Sequence, residues 1–471
     1  MEVLINEAKF EYDIHSLIKA FYPDKEIKVV MDSENPDFIV NYKSDGVSFS
    51  VSGHEEVSAS LSENTERTEE KNVLKRLIYS ALSKETKKTL PWGTLTGIRP
   101  TKIPMKLLSE GKTDEEILRF MKETYFVSDD KGLLSIDIAK RESAILGKIN
   151  TENGYSLYIG IPFCPTTCLY CSFTSNPICK WEKKVDEYLE CLDKELKATT
   201  EIMKGKNPDT VYIGGGTPTS LSAEALEVLL SLVDKYFDVS NLLEFTVEAG
   251  RADSITKEKL LVLKKHKVTR ISVNPQTMND ETLKVIGRKH TTEDVIRAFL
   301  LARELGFDNI NMDIILGLPG EGISQVKKTV TEIEKLHPDS FTVHSLAIKR
   351  ASKLNEWIEK NGLETMINTE ETMKIAEQSA MEMDLKPYYL YRQKNMAGNY
   401  ENTGYAREGA FGIYNILIME EVQSIVACGA GTVTKRVFED GRIERCDNVK
   451  DVSLYMDQID EMIQRKIQLF G

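Results

Sequence analysis

SLYIGIPFCPTTCLYCSF, residues 156–173, runs from an alternating apolar strand straight into three cysteines within eight positions, then places Phe173 where another thiol could have followed. Three soft ligands on one short loop hold a metal centre and leave it short of a full set. A structural zinc site takes four ligands, commonly two paired motifs, whereas here only Cys179 stands close enough in sequence to complete one tight trio. An iron–sulfur cube is the better match, because three thiolates bind three irons and leave the fourth iron open to an exogenous ligand.

Outward from that loop, short apolar strands alternate with amphipathic helices: SLYIGIPF, TVYIGG, LEFTVEA, RISVNP, NINMDIILG and SFTVHSL. Six strands, each followed by a helix, predict a parallel βα sheet. Leu226, Leu229, Leu230 and Val233 share one helix face, as do Ile323, Val326, Val330 and Ile333. Gly306 closes the helix ending RAFLLAREL. A doubly wound open sheet and a partial barrel both fit this periodicity. The signatures CPTTC, GGGTP, EAGR, NPQ and GLPGE all fall at strand carboxyl ends, where such folds bind ligands, so one mouth collects the chemistry.

Residues 1–150 mix strand-like runs (IKVVMD, DFIVNY, GVSFSVSG) with helical ones (NVLKRLIYSALSK, TDEEILRFMKETY), and PWGTLTGIRPTK reads as a loop. They carry no chemical constellation, so a structural or docking role is expected. After residue 350 come two helices, PYYLYRQKN, a β-rich stretch through FGIYNILIMEE and SIVACGAGTV, a hairpin in VFEDGRIERC whose Asp-Gly suits a type I′ turn, and a last helix.

The chain has 471 residues, 41% hydrophobic and 29% charged, which predicts two or three folding units of a globular protein. A net charge of −13 argues against a polyanion such as nucleic acid as partner. The N-terminus has no secretory pattern and no apolar run is long enough to span a bilayer, so a cytoplasmic location is expected, with the seven cysteines serving metal or redox chemistry rather than disulfides. Cys179, Cys191, Cys428 and Cys446 read as ordinary thiols, and His266, His337 and His344 as structural. Glycines 214–216 let backbone approach a ligand, leaving exposed amides and Thr217 as candidate contacts; Glu248, Gln276 and Asp313 end strands as polar groups, and Arg288 can pair with a carboxylate.

The CxxxCxxC spacing, preceded by YIGIPF and followed by GGGTP, resembles the radical S-adenosylmethionine enzymes. That resemblance implies one 4Fe-4S cluster whose open iron is chelated by S-adenosylmethionine. An electron splits the sulfonium, and the resulting 5′-deoxyadenosyl radical takes hydrogen from substrate. YIGIPFC, GGGTPT, EAGR, NPQ, GRKHT and MDIILGLPGE look like the oxygen-independent coproporphyrinogen III oxidase (HemN-type) group with its heme-chaperone relatives. PWGTLTGIRPTK and YRQKNMAGNYENTGYA look most like its HemZ-type branch.

The resemblance implies an α/β fold: a radical SAM partial (βα)6 barrel at 151–350, an N-terminal accessory α+β domain at 1–150 and a C-terminal HemN-type α+β domain at 351–471. It implies Cys164, Cys168 and Cys171 as cluster ligands, with Tyr158, Tyr170, Gly215, Gly216, Thr217, Glu248, Gln276, Arg288 and Asp313 around S-adenosylmethionine, of which relatives hold up to two molecules. No catalytic residue is assigned. The implied reaction is oxidative decarboxylation of coproporphyrinogen III propionates to vinyl groups in anaerobic heme biosynthesis, driven by a flavodoxin or ferredoxin. Lys349, Arg350, Arg392 and Lys394 are candidate cations for so anionic a tetrapyrrole, though such residues are more often solvated surface. The decarboxylating branch has a fourth cysteine where Phe173 stands; the chaperone branch lacks it but has an HNxxYW motif where this chain has ENTGY and no later histidine than His344. A heme carrier and a radical enzyme acting on another tetrapyrrole or anionic substrate are therefore the competing readings.

Overall fold

Strand order decides between the two sheet architectures that periodicity leaves open. The computed structural model describes residues 1–62, 64–97, 99–149, 153–349, 351–362, 365–393 and 400–471. These form two units: Met1–Ser143 with Leu390–Glu401, and Ala144–Tyr389 with Asn402–Gly471.

The first unit holds a five-stranded sheet of β1 (Glu2–Ile5), β2 (Lys28–Val30), β3 (Phe38–Lys43), β4 (Gly46–Val51) and β5 (Val57–Ser60), in the order β2-β1-β3-β4-β5. Alternation in β3 and β4 puts Phe38, Val40, Val47 and Phe49 into a core shared with Leu17 and Phe21 of α1 (Glu11–Phe21) and Leu74 and Ile78 of α2 (Arg67–Thr86). Helices α3 (Lys102–Ser109), α4 (Asp114–Tyr125) and α5 (Asp129–Leu146) follow. A capping box, Thr113 with Glu116, starts α4. Trp92 of the expected 91–102 loop is fully buried among Ile117, Met121 and Ile138, and its indole donates to Glu401 at 2.7 Å. The same carboxylate accepts from Lys131.

In the second unit the six expected strands are β6 (Gly154–Ile161), β9 (Asn207–Gly215), β10 (Glu244–Glu248), β11 (Arg270–Ser272), β12 (Ile310–Leu316) and β13 (Ser340–Ser345). Two-residue strands β7 (Phe163–Cys164) and β8 (Asn176–Pro177) pair within the cysteine loop. The six strands lie side by side in sequence order, all parallel. No reversal point exists in that order, so the sheet is the partial (βα)6 barrel and not a doubly wound sheet. Helices α6 (Val185–Ile202), α7 (Ala223–Tyr236), α8 (Lys257–Lys265), α9 (Asp280–Val285), α10 (Thr292–Glu304) and α11 (Ile323–Leu336) intervene. Their apolar faces bury Leu226, Leu229, Leu230 and Val233, and Val326, Val330 and Ile333, while Ile323 stays 36% exposed. Gly306, φ +83°, ends α10 as expected, donating to Arg303 while Phe307 donates to Ala302.

Helices α12 (Leu354–Asn361) and α13 (Glu370–Glu382) lead to β14 (Lys386–Tyr391) and β15 (Asn402–Ala406). Then come α14 (Ile413–Glu420), β16 (Ile425–Cys428), β17 (Val433–Val437), β18 (Ile443–Asp447), α15 (Val452–Asp457) and α16 (Ile459–Phe470). Strand β15 pairs antiparallel with β13 and β16 pairs parallel with β6, so the C-terminal segment covers both edges of the barrel. Among the described residues the sheet thereby reaches eleven strands.

Two expectations are corrected here. FGIYNILIMEE, read as β-rich, folds as α14 with Tyr414, Ile416 and Leu417 buried; a short apolar run fits either period, and packing decides. The VFEDGRIERC hairpin is a three-residue loop, not a type I′ turn. Only Gly441 takes positive φ, and Phe438 and Arg442 still pair across it, giving a turn with a glycine bulge.

Among the described residues, no helix is long and apolar enough to cross a membrane.

Candidate functional site

The site starts where β6 runs out. Cys164 ends β7, while Cys168 and Cys171 follow in a turn closed by the Cys171 amide on the Cys168 carbonyl at 3.2 Å. Cys164 and Cys168 are each 9% exposed and Cys171 is half-buried. Burial pushes the Cys164 thiol up to about 12; the Thr217 hydroxyl, 3.4 Å from the sulfur, pulls the other way, and the thiols of Cys171 and Cys168 add to the rise. Burial likewise raises the Cys171 thiol. Thiols gathered on one loop become good ligands once a soft metal displaces their protons.

The glycine run after β9 makes this loop possible. A Cβ on Gly216 would stand 2.5 Å from the Phe163 carbonyl oxygen, 2.9 Å from that of Ile161 and 3.0 Å from Cys164 Sγ. Gly215 sits at φ +102°, which suits glycine. The amides of Gly216 and Thr217, expected to be exposed, instead donate to Ile161 and Phe163, each at 2.7 Å. The GGGTP segment therefore fastens the cysteine loop, with Thr217 3% exposed beneath it.

Around the trio stand the polar ends of the strands. Tyr212 donates to Glu248 at 2.5 Å, and burial pushes that carboxyl up to about 7, with the Asp313 charge adding to the rise. Asn311 donates to Asp313 at 2.6 Å and His344 lies 3.7 Å from it. Burial alone would raise Asp313, but His344, Asn311 and Thr342 outweigh it and hold the carboxyl low. Tyr158 stacks on Tyr212 and Tyr414, ring centres 5.9 and 6.1 Å away, so α14 contributes an aromatic ring beside the site. Arg288 donates to the Asn274 carbonyl at 2.5 Å and the Tyr170 hydroxyl at 3.3 Å. Gln276 takes left-handed backbone, φ +66°, held by the Asp313 carbonyl and the Ile315 amide at 2.9 Å each.

Several buried polar atoms here have no protein partner among the described residues: Gln276 Oε1, Asn274 Oδ1, Ser272 Oγ and Arg288 Nε. Buried polar atoms are normally satisfied, so this group suits a polar small molecule. Among the described residues, no three His, Cys, Asp or Glu side chains close on a single metal ion. Cys179 is exposed, apart from the buried and half-buried thiols of the trio, and three thiols on one loop are the donor set a 4Fe-4S cluster with one open iron would take.

Sequence reasoning missed Tyr212, Asn274, His344, Arg251 and Tyr414. Tyr212 shares strand parity with Gly214, a signal available in the sequence; His344 and Tyr414 arrive by packing alone. Of the candidate cations, Lys349 is half-buried with its ammonium 5.5 Å from the Phe173 ring, and the Cys171 thiol lies within its field. Arg392 is 3% exposed in the first unit, donating to the Leu95 carbonyl at 2.5 Å. Arg350 and Lys394 lie outside the described residues.

Residues 158–333 match the model of the radical SAM superfamily. The chain is 42% identical to the oxygen-independent coproporphyrinogen-III oxidase-like protein HemZ of Bacillus subtilis, over 84% of this chain and 80% of that protein. It is 39% identical to the heme chaperone HemW of B. subtilis over 44% of this chain and 54% of that one. Among solved structures, coproporphyrinogen III oxidase (HemN) from Escherichia coli superposes with a TM-score of 0.52 at 20% identity, covering 66% of this chain and 70% of that one.

Proposed function

The chain belongs to the HemZ-type family within the radical SAM superfamily, which implies a 4Fe-4S cluster and S-adenosylmethionine, and from that premise we propose that it oxidatively decarboxylates coproporphyrinogen III propionates to vinyl groups. One observation carries the reading: three thiols on one loop, fastened by Gly216 and Thr217, beside polar atoms that lack protein partners.

Cys164, Cys168 and Cys171 would hold three irons, leaving the fourth for S-adenosylmethionine. Bound there, the pair supplies one-electron cleavage of the sulfonium and hydrogen abstraction from the propionate β-carbon. Gly215 and Gly216 bring backbone close, and Thr217 fixes Cys164. Glu248, Asp313 and the free Gln276 oxygen offer acceptors to ribose hydroxyls and an ammonium group, while Arg288, steadied by Tyr170, offers a cation to a carboxylate. Tyr158 packs against the stacked pair of Tyr212 and Tyr414, an aromatic wall for the adenosine end of the cosubstrate. Lys349 presents a positive charge to an anionic tetrapyrrole.

The electron comes from a cytoplasmic flavodoxin or ferredoxin, the site takes one or two S-adenosylmethionine molecules, and residues 1–150 act as an accessory domain to a 151–350 core completed by 351–471. The heme-carrier reading draws on identity to a heme chaperone and on Phe173.

The test mixes anaerobically reconstituted protein with reductant, S-adenosylmethionine and coproporphyrinogen III. Vinyl product with stoichiometric 5′-deoxyadenosine is expected. Deoxyadenosine without vinyl product points to another substrate, and tight heme binding without either points to a carrier.

A further inference from the structure

Arg251 stands just past β10, 2% exposed, and uses its guanidinium in three directions. Nη1 donates to the Thr166 carbonyl at 3.2 Å and to its hydroxyl at 2.9 Å, and lies 3.8 Å from Cys168 Sγ. Nε and Nη2 fork onto the Asp253 carboxylate at 2.9 and 2.6 Å, and His290 meets the same carboxylate at 3.3 Å.

A two-point fork fixes the plane of a guanidinium, so Asp253 and His290 aim the remaining edge of Arg251 at the spacer between the first two cysteines. Burial leaves the group no room to meet a substrate. It does leave a permanent positive charge and an N–H against a sulfur that would be a thiolate in the loaded site. Hydrogen bonds to ligand sulfurs and local net charge are what set cluster potentials. A cluster held by three thiolates becomes more negative on reduction, and a fixed cation in a poorly solvated site favours that added charge.

We propose that Arg251 is a positioning residue that clamps the Pro165–Thr167 spacer and raises the reduction potential of the cluster bound by the trio, so that a biological one-electron carrier can reduce it. This rests on the cluster reading given above.

The experiment compares full-length wild type, Arg251→Gln and Arg251→Lys after anaerobic reconstitution, measuring iron and sulfide per chain and titrating the reduced-cluster EPR signal against potential without S-adenosylmethionine. For Arg251→Gln the expected result is about a tenfold smaller ratio of reduced to oxidised cluster at fixed potential, equivalent to about 59 mV for a one-electron couple, with Arg251→Lys between the two. Arg251→Gln with wild-type iron content and an unchanged midpoint overturns the proposal. If that variant holds no cluster, Arg251→Lys carries the test: one ammonium cannot serve Thr166, Cys168 and Asp253 together, so a midpoint equal to wild type overturns it. Wild-type protein that assembles no cluster overturns the site reading itself and this proposal with it.

Discussion

Tyr212 and Glu248, on the neighbouring strands β9 and β10, share a 2.5 Å hydrogen bond that draws the carboxyl down against the burial that raises it. Burial raises Glu248 from its ordinary 4.5 to about 7, Asp313 adds to the rise and His344 opposes it. A raised folded-state pKa contributes stability that is complete below the unfolded value and is lost as pH climbs through the folded one. Ligand-free wild type should therefore lose thermal stability between about pH 5 and pH 8 more steeply than Glu248→Gln. Parallel melting curves for the two proteins would remove Glu248 as the titrating group.

The trio and the remaining thiols should separate cleanly. Cys168→Ala is expected to lose the iron–sulfur absorbance and bound iron, whereas Cys179→Ala and Cys446→Ala, at exposed and half-buried positions, retain both. Iron and sulfide assays after identical reconstitution decide it, and full iron in Cys168→Ala contradicts the ligand assignment.

Gly216→Ala tests the fastening of the loop. The added methyl meets two backbone carbonyls and a ligand sulfur within 3.0 Å, none of which can swing aside as a flexible side chain would. Overpacking of this kind costs about 1–3 kcal/mol. We expect a lower melting temperature together with weaker cluster retention; a variant matching wild type in both would show that the approach is not tight.

Deep in the second unit, Glu195 accepts from the Gly429 amide, the Tyr455 hydroxyl, the Asn448 amide and the Lys466 ammonium, with both charged side chains at most 1% exposed. Removing one partner of such a pair strands the other charge, at a cost of about 3–5 kcal/mol. Lys466→Met should lower the urea midpoint accordingly, and Glu195→Gln in the same chain should restore much of the loss. Additive losses in the double variant would deny the coupling.

The barrel strands were legible because each is a short apolar run, buried on both faces as parallel strands are, and each is followed by an amphipathic helix. The cysteines were legible from spacing alone, and Gly306 from its place after a helical run. What sequence could not supply is what distant segments bring. IYNILIME satisfies either period, and only the seat of Tyr414 against Tyr158 and Tyr212 selects the helix. His344 looked isolated because its partner, Asp313, lies on the adjacent strand rather than at a recognisable spacing. Arg251, Asp253 and His290 likewise form one cluster from two loops. The expected amide donors of GGGTP failed for a local reason: the turn that glycine permits spends them on the cysteine loop.

Strand β16 lies beside β6, although more than 260 residues of synthesis separate Ile161 from Ile425. While the nascent polypeptide is emerging, the first barrel strand keeps one bare flank until β16 is made, and the thiols at its tip are made long before that edge is covered. A chain interrupted before Cys428 would leave that edge of β6 unpaired, an open seam on the strand that leads into the three thiols.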